Sequence, residues 1–142
     1  MKRISIATLN RKWHDTDEVL LHAAFQLLVD FVEKERPDKV TDWSSDEVHR
    51  QAWKEIKRLY RWWKHIRPTR RSSLDDKKMK RPPLKRKKVI GSKYIELVQP
   101  DRKKYSEYYT ALRRHTKLEV KWYEEDQLNL HKLIDVRKFL WT

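Results

Sequence analysis

The sequence contains no cysteine and a single glycine, and each shortage excludes certain structures. Without cysteine there are no disulfides and no thiolate metal ligands, so nothing points to an oxidising compartment. One glycine and five prolines in 142 residues favour helices over turn-rich β structure. No apolar run approaches the roughly 18 residues of a membrane-spanning helix, and the opening MKRISIATLNRKW lacks the apolar core of a signal peptide. We therefore expect a soluble intracellular protein with no membrane partner.

Acidic residues are also scarce relative to basic ones. The chain has 35 Lys and Arg against 21 Asp and Glu, a net charge of +14, which implies an anionic partner. Apolar residues make up a low 38%, but runs such as VLLHAAF and FQLLVDFV exclude wholesale disorder. The seven Trp, six Tyr and three Phe suit a core, and they also suit base stacking and protein interfaces.

The first helical pattern begins at a capping-box sequence, with Asp15 as N-cap and Glu18 three residues later. It predicts a helix over residues 16–35, ended by the Arg36-Pro37 pair. Because this helix is apolar nearly all round, we expect it to be the central element of the core. One polar arc remains, which we expect to face solvent: Glu18, His22, Gln26, Asp30 and Glu33.

The second helical pattern begins at another capping-box match, Ser44 with Glu47, and predicts a helix to about residue 66. Its basic residues recur every three or four positions, so they share one side of the helix, opposite the apolar residues. A solvated face usually mixes charge signs, and this stripe contains no acid, so we predict an anion-binding face. The residues of this basic stripe are Arg50, Lys54, Lys57, Arg61 and Lys64; Trp53, Tyr60 and Trp62 flank it as candidates for base stacking or an interface.

Residues 67–93 lack a clear period and contain three prolines and the glycine, so we predict a partly disordered basic loop. Twelve of its residues are basic and two acidic, so its net charge is +10. Such a density of cations suits phosphate contacts, which position a protein on nucleic acid without reading bases. The predicted contacts are Arg67, Arg70, Arg71, Lys77, Lys78, Lys80, Arg81, Lys85, Arg86, Lys87 and Lys88.

A third helical pattern opens at Pro100-Asp101 and continues to about residue 138, as one long helix or as two. His115, Glu119 and Asp126 fall within its apolar arc, where buried polar groups must be paired. Together with His22 and Glu18 they are candidates for a metal or acid–base site, and the alternative is a hydrogen-bonded polar core. Glycine-rich phosphate loops and the GxSxG and HExxH motifs are absent from the sequence, so we expect neither an enzyme nor a cofactor.

Three stretches carry a resemblance to a known group of proteins: residues 13–35 (WHDTDEVLLHAAFQLLVDFVEKE), 49–64 (HRQAWKEIKRLYRWWK) and 122–142 (WYEEDQLNLHKLIDVRKFLWT). They resemble small tailed-bacteriophage proteins to which no activity is assigned. The resemblance implies a phage origin and action in the cytoplasm of the bacterial host. It implies no functional residue.

Together the patterns predict a mainly α protein, a compact single domain over residues 1–142 with three or four helices. The C-terminal helix is long, residues 3–8 and 89–98 could form a small two-stranded β-ribbon, and the basic loop is flexible. The leading functional hypothesis is a non-enzymatic protein that binds DNA or RNA through phosphates. The alternatives are a phage factor that binds and inhibits a host protein machine, and a metal-dependent hydrolase. Both a monomer and a dimer stay open.

Overall fold

A computed structural model describes residues 3–141, and helices dominate this part of the chain, as predicted. Its four α-helices are accompanied by one small antiparallel sheet of two strands. The elements are α1 (Thr16–Asp30), α2 (Pro37–Val40), α3 (Glu47–Arg61), β1 (Arg86–Lys88), β2 (Ile95–Leu97) and α4 (Ser106–Asp135). Two π-helical turns extend α1 and α3 over Phe31–Glu35 and Trp62–Ile66, and 3-10 turns occupy Arg67–Thr69, Ser73–Asp75 and Arg137–Phe139.

The described chain packs as two compact units. The first unit comprises residues 3–70 and 123–141, and the second unit comprises residues 71–122. The boundary at residue 70 lies inside the predicted basic loop 67–93, to which the structure gives two 3-10 turns and strand β1. The helix α4 starts in the second unit and ends in the first; its 30 residues are continuous and span about 45 Å. The third helical pattern is therefore one helix and not two.

The core of the first unit is built largely from aromatic side chains of α1 and α3. Phe25 stacks on Trp63 with ring centroids 4.5 Å apart, and it tilts against Trp62 at 5.2 Å. Leu28, Ile56 and Leu59 are fully buried beside them. The remaining members of this cluster are Val29, Phe31, Trp43, Ala52, Leu133 and Val136. In the second unit, the buried apolar residues of the described chain are Met79 and Ala111, so its core is much smaller.

The orientation of α1 differs from the prediction. His22 and Gln26 of the predicted solvent-facing arc are buried, whereas Leu20 and Leu27 are 62% and 50% exposed. The cause is the N-terminal segment, which bonds to the polar arc: the Ala7 amide donates to Gln26 Oε1 at 3.0 Å. Residues 3–8 therefore do not form the predicted strand, and their predicted pairing with 89–98 was wrong.

The hydroxyl of Thr8 lies 2.6 Å from Nδ1 of His22. The N-terminal segment therefore contacts both His22 and Gln26 of the polar arc. Burial lowers the pKa of His22, and the positive charge of Arg67 lowers it further. His22 is therefore a neutral, hydrogen-bonded residue of the interior at neutral pH.

Both predicted capping boxes were wrong in detail. Asp15 precedes α1 but its side chain makes no capping hydrogen bond. The N-cap of α3 is Asp46, whose carboxylate accepts the amide of His49 at 2.8 Å. Ser44 lies too far from the first turn and donates its hydroxyl to Asp42 instead, at 2.6 Å. Local sequence located both helices, whereas the choice of cap depended on the path of the preceding loop.

Candidate nucleic-acid interface

Most of the chain's positive charge is in the second unit. Residues 71–122 contain seventeen Lys and Arg and six Asp and Glu, a net charge of +11 out of +14. The ion pair described within this unit is that of His115 with Glu119, at 3.1 Å. Among residues 3–141, no carboxylate lies within 4.0 Å of the cationic groups of Lys77, Lys78, Lys80, Arg81, Lys85, Arg86, Lys87, Lys88, Lys93, Arg102, Lys103, Lys104, Arg113, Arg114, Lys117 and Lys121.

In the first unit acidic residues nearly balance the basic ones, and the net charge of residues 1–70 and 123–142 is +3 out of +14. Carboxylates lie within 4.0 Å of Lys34, Arg36, Arg50, Arg58, Lys64, Arg67, Arg70 and Lys132. The second unit therefore has the larger net positive charge, and sixteen of its seventeen Lys and Arg have no described carboxylate within 4.0 Å. Such a surface attracts polyanions through many simultaneous contacts.

The hairpin formed by β1 and β2 carries the densest group of these cations. Its strands pair antiparallel, with Lys87 opposite Glu96, and every strand residue is exposed. The chain reverses at Ile90-Gly91, where the Ser92 amide donates to the Val89 carbonyl at 3.1 Å. Gly91 has a φ of 76°, the positive angle that position i+2 of a type II turn requires. Of the predicted strand 89–98, only residues 95–97 form a strand, and they pair with 86–88 across a turn whose signal in the sequence is the glycine.

Cations lie on both faces of this hairpin because side chains alternate along a strand. Arg86 and Lys88 share one face with their partners Leu97 and Ile95. Lys87 lies on the other face, and so does Lys85, whose carbonyl accepts the Val98 amide at 2.9 Å. Neither face is purely apolar or purely basic.

The first half of α4 contributes further cations that the sequence analysis did not single out. Arg113, Arg114, Lys117 and Lys121 are exposed and fall within about 100° of one another around the helix. The signal was present in the spacing of four between 113, 117 and 121.

The predicted basic stripe on α3 is exposed along its length. Its ends are compensated, since Arg50 pairs with Glu47 at 2.9 Å and Lys64 pairs with Glu33 at 3.0 Å. In the described chain, Lys54, Lys57 and Arg61 have no carboxylate within 4.0 Å. The stripe therefore offers three cations in its centre.

The aromatic candidates beside the stripe differ in accessibility. Trp53 is half-buried, stacks on Trp43 at 4.9 Å, and lies 5.5 Å from the ammonium of Lys57. Tyr60 is half-buried and donates its hydroxyl to Glu33 at 2.8 Å. Trp62 is 3% exposed, so its predicted role as an exposed stacking side chain must be corrected. Its ring packs against Phe25 with centroids 5.2 Å apart, and its indole N–H donates to Glu125 of α4 at 2.8 Å, so tertiary contacts bury this flank of the helix.

Arg67 and Arg70, two of the predicted phosphate ligands, are held by carboxylates of α4. Arg67 donates two hydrogen bonds to the two oxygens of Asp126, both at 3.0 Å. Arg70 donates to Asp126 at 2.8 Å and to Glu125 at 2.7 Å. Burial alone would raise the pKa of Asp126, but the two guanidinium donors outweigh it and the pKa lies below its usual value. Since these arginines already have anionic partners, the geometry gives them a structural role, and their predicted contact with phosphate stays a prediction.

The predicted His and carboxylate cluster is divided between the two units. His22 bonds to Thr8, and Asp126 binds the two arginines. His115 lies 2.8 Å from the Ser72 hydroxyl and 3.1 Å from Glu119. Within residues 3–141, no group of three or more His, Asp and Glu side chains is arranged to hold a metal ion. These residues therefore fit the alternative explanation, a set of hydrogen-bonded polar groups.

In the described part of the chain, no helix is both long enough and apolar enough to cross a membrane. The fold and the charge define a mainly α protein in which one of two units carries an exposed, uncompensated cationic surface. Neither a protein-family model, nor a curated protein, nor a solved structure matches this chain. Its function is therefore inferred from the cationic surface itself.

Proposed function

We propose that this protein binds nucleic acid, largely through phosphate contacts made by the second unit, and that it is not an enzyme. The observation that carries the proposal is the net charge of +11 on residues 71–122, most of it on exposed side chains without a nearby carboxylate. Holding so many like charges together costs free energy through self-repulsion, and a polyanion relieves that cost. Nucleic acid supplies anionic groups in a continuous row, so affinity grows with the number of contacts.

The proposed contact surface differs from the sequence prediction in three ways. It retains Lys77 to Lys88 and adds the four cations of the first half of α4. The central residues of the α3 stripe, Lys54, Lys57 and Arg61, belong to the first unit and stay a separate prediction; they have no carboxylate within 4.0 Å in the described chain. The surface leaves out the buried Trp62 and the carboxylate-bound Arg67 and Arg70. Contacts of this kind position the protein with little sequence preference.

Replacing Lys85, Arg86, Lys87 and Lys88 together by glutamine tests the proposal. We expect binding to a 20-base-pair duplex at 0.1 M salt to weaken by about 100- to 1,000-fold. The slope of the logarithm of the binding constant against the logarithm of the salt concentration should become shallower by about 3 to 4. The reason is that binding releases about one counterion fewer for each phosphate contact that is lost. Fluorescence anisotropy titrations at several salt concentrations between about 0.05 and 0.2 M measure both quantities.

The matched control removes four exposed cations from the first unit, through Arg11→Gln, Lys12→Gln, Lys39→Gln and Arg137→Gln. These side chains have no carboxylate within 4.0 Å in the described chain, so the two variants lose the same net charge. We expect the control to bind within about fivefold of the wild type, since these four residues are not part of the proposed contact surface and exposed charges outside it are screened. Equal losses in the two variants, or binding that is insensitive to salt, would contradict the proposal.

A second candidate function is binding to a host protein, and the exposed apolar residues of the first unit favour it. Leu20 is 62% exposed and Tyr123 64% exposed, and both line a groove of about 200 Å³ between α1 and α4. Apolar and aromatic surface of this kind is typical of protein interfaces. In a pull-down from nuclease-treated host lysate, one stoichiometric protein partner that is lost with Leu20→Glu would favour this function. Loss of all partners after nuclease treatment would favour nucleic acid.

A further inference from the structure

The hairpin of β1 and β2 ends in an apolar side chain. Ile90 at position i+1 of the turn is 99% exposed, the highest value among the exposed large apolar residues of the described chain. Leaving a large aliphatic side chain fully in water forgoes the free energy of its burial. Among residues 3–141, none packs against the turn in a way that would require an isoleucine there, and even a Cβ added at Gly91 meets nothing within 4 Å. The position of Ile90 therefore suits a contact with another molecule.

The surroundings of Ile90 identify the chemistry of that partner. Lys88 and Lys93 lie within three residues of it in sequence, and Lys85, Arg86 and Lys87 continue the cationic strand. Among the paired residues Glu96 is the one acid of this described hairpin. The partner must therefore present anionic groups beside a recessed apolar surface.

The major groove of duplex DNA has these properties at matching dimensions. It is about 12 Å wide and 8.5 Å deep, it admits a two-stranded β-ribbon, and thymine methyl groups lie on its floor. Paired strands lie about 4.8 Å apart and rise about 3.4 Å per residue. When Ile90 touches the floor, residues two to three positions back lie about 7–10 Å higher, level with the phosphates at the rim. Those residues are Lys87 and Lys88, which lie on opposite faces and so face the two backbones.

We propose that the hairpin enters the major groove of duplex DNA tip first, with Lys87 and Lys88 on the flanking phosphates and Ile90 on thymine methyl groups. This proposal rests on the proposed nucleic-acid binding and makes it specific to B-form DNA. The major groove of A-form RNA is deep and narrow, and uracil has no C5-methyl group. A membrane surface fits less well, because insertion into lipid needs one segregated apolar face, and both faces of this hairpin carry cations.

The experiment compares two A·T-rich duplexes of identical sequence, one with thymine and one with uracil in its place. The substitution removes only the C5-methyl group. We expect the wild-type protein to bind the uracil duplex about fourfold more weakly for each methyl group that Ile90 covers. The Ile90→Ser variant should bind both duplexes equally while keeping the wild-type salt slope, because its phosphate contacts are unchanged. Ile90→Leu should retain the preference for thymine.

The matched control is Ile95→Ser, which removes the same side chain from β2, where Ile95 is 57% exposed. It should retain the thymine preference, and both serine variants should unfold at the wild-type temperature. Equal wild-type affinity for the two duplexes, with steep salt dependence, would overturn the methyl contact and leave nucleic-acid binding intact. Binding to neither duplex at 0.05 M salt would overturn the groove contact, and failure to bind single-stranded DNA and RNA of the same length as well would overturn both proposals. Ile90-dependent binding to phosphatidylserine vesicles, with no preference for thymine, would assign the tip to a lipid surface and overturn the groove contact.

Discussion

Replacing Asp126 by asparagine should lower the free energy of unfolding by roughly 2–3 kcal/mol, somewhat less than the loss for a fully buried ion pair. Its two oxygens accept hydrogen bonds from both Arg67 and Arg70, and its side chain is 15% exposed. Asparagine retains the volume but leaves two partly buried guanidinium groups with one carboxylate fewer. Urea unfolding followed by tryptophan fluorescence measures the loss, because Trp62 and Trp63 lie in the core.

The same variant predicts a dependence on pH. The pKa of Asp126 in the folded protein is below its ordinary value, which in the unfolded chain is about 3.9. Its stabilisation is therefore complete above the unfolded value and is lost as pH falls through the lower folded value. The difference between wild type and Asp126→Asn should shrink as pH falls from about 5 towards 2.

The control for this prediction is Asp135→Asn on the same helix. Asp135 is exposed and forms no described ion pair, so we expect a change of less than about 0.5 kcal/mol. Equal stability of Asp126→Asn and the wild type at pH 7 would show that the arginine cluster is unimportant for folding. Arg67 and Arg70 would then be available as ligands for phosphate.

Replacing Leu28 by alanine should destabilise the protein by about 3–4 kcal/mol, within the range for a buried leucine. Leu28 is fully buried in the core of the first unit. Truncation removes its apolar contacts and leaves a cavity, which the stacked aromatic rings of Phe25 and Trp63 cannot fill without separating. Thermal and urea unfolding both report this loss.

The adjacent residue provides a matched control, because Leu27→Ala is the same substitution one position earlier in α1. Leu27 is 50% exposed, so we expect a loss of less than about 1 kcal/mol. Similar losses at both positions would mean that α1 is buried on all sides, as its sequence suggests. A larger loss at Leu27 would contradict the orientation of α1 described above.

The comparison between Leu27 and Leu28 shows why the faces of α1 could not be read from its sequence. Its apolar residues surround the helix, so periodicity distinguishes no buried side. The orientation was decided by the N-terminal segment, whose Ala7 amide and Thr8 hydroxyl satisfy Gln26 and His22. These partners lie 14 and 19 residues away in sequence, beyond the reach of any helical repeat.

Helix α3 was predicted more completely because its two faces differ in chemistry. Basic residues recur on one side and apolar residues on the other, and α3 buries Ala52, Ile56 and Leu59 as expected. The projection failed at Trp62, which lies on the flank between the two faces. This residue is buried by Phe25 of α1 and bonded to Glu125 of α4, and neither partner is visible in the local spacing.

The sequence by itself determined the mainly helical class, the approximate extent of the three long helices and the excess of positive charge. These properties follow from the composition and from the spacing of apolar and charged residues within a few helical turns. The tertiary structure decided which charges are compensated. Arg67 and Arg70 adjoin the basic run in sequence, but packing places them beside Asp126 and Glu125, more than fifty residues away. It also paired residues 86–88 with 95–97, which leaves Ile90 at an exposed tip that follows the cationic strand β1. Hydrogen bonding between strands is settled by three-dimensional register and not by strand propensity.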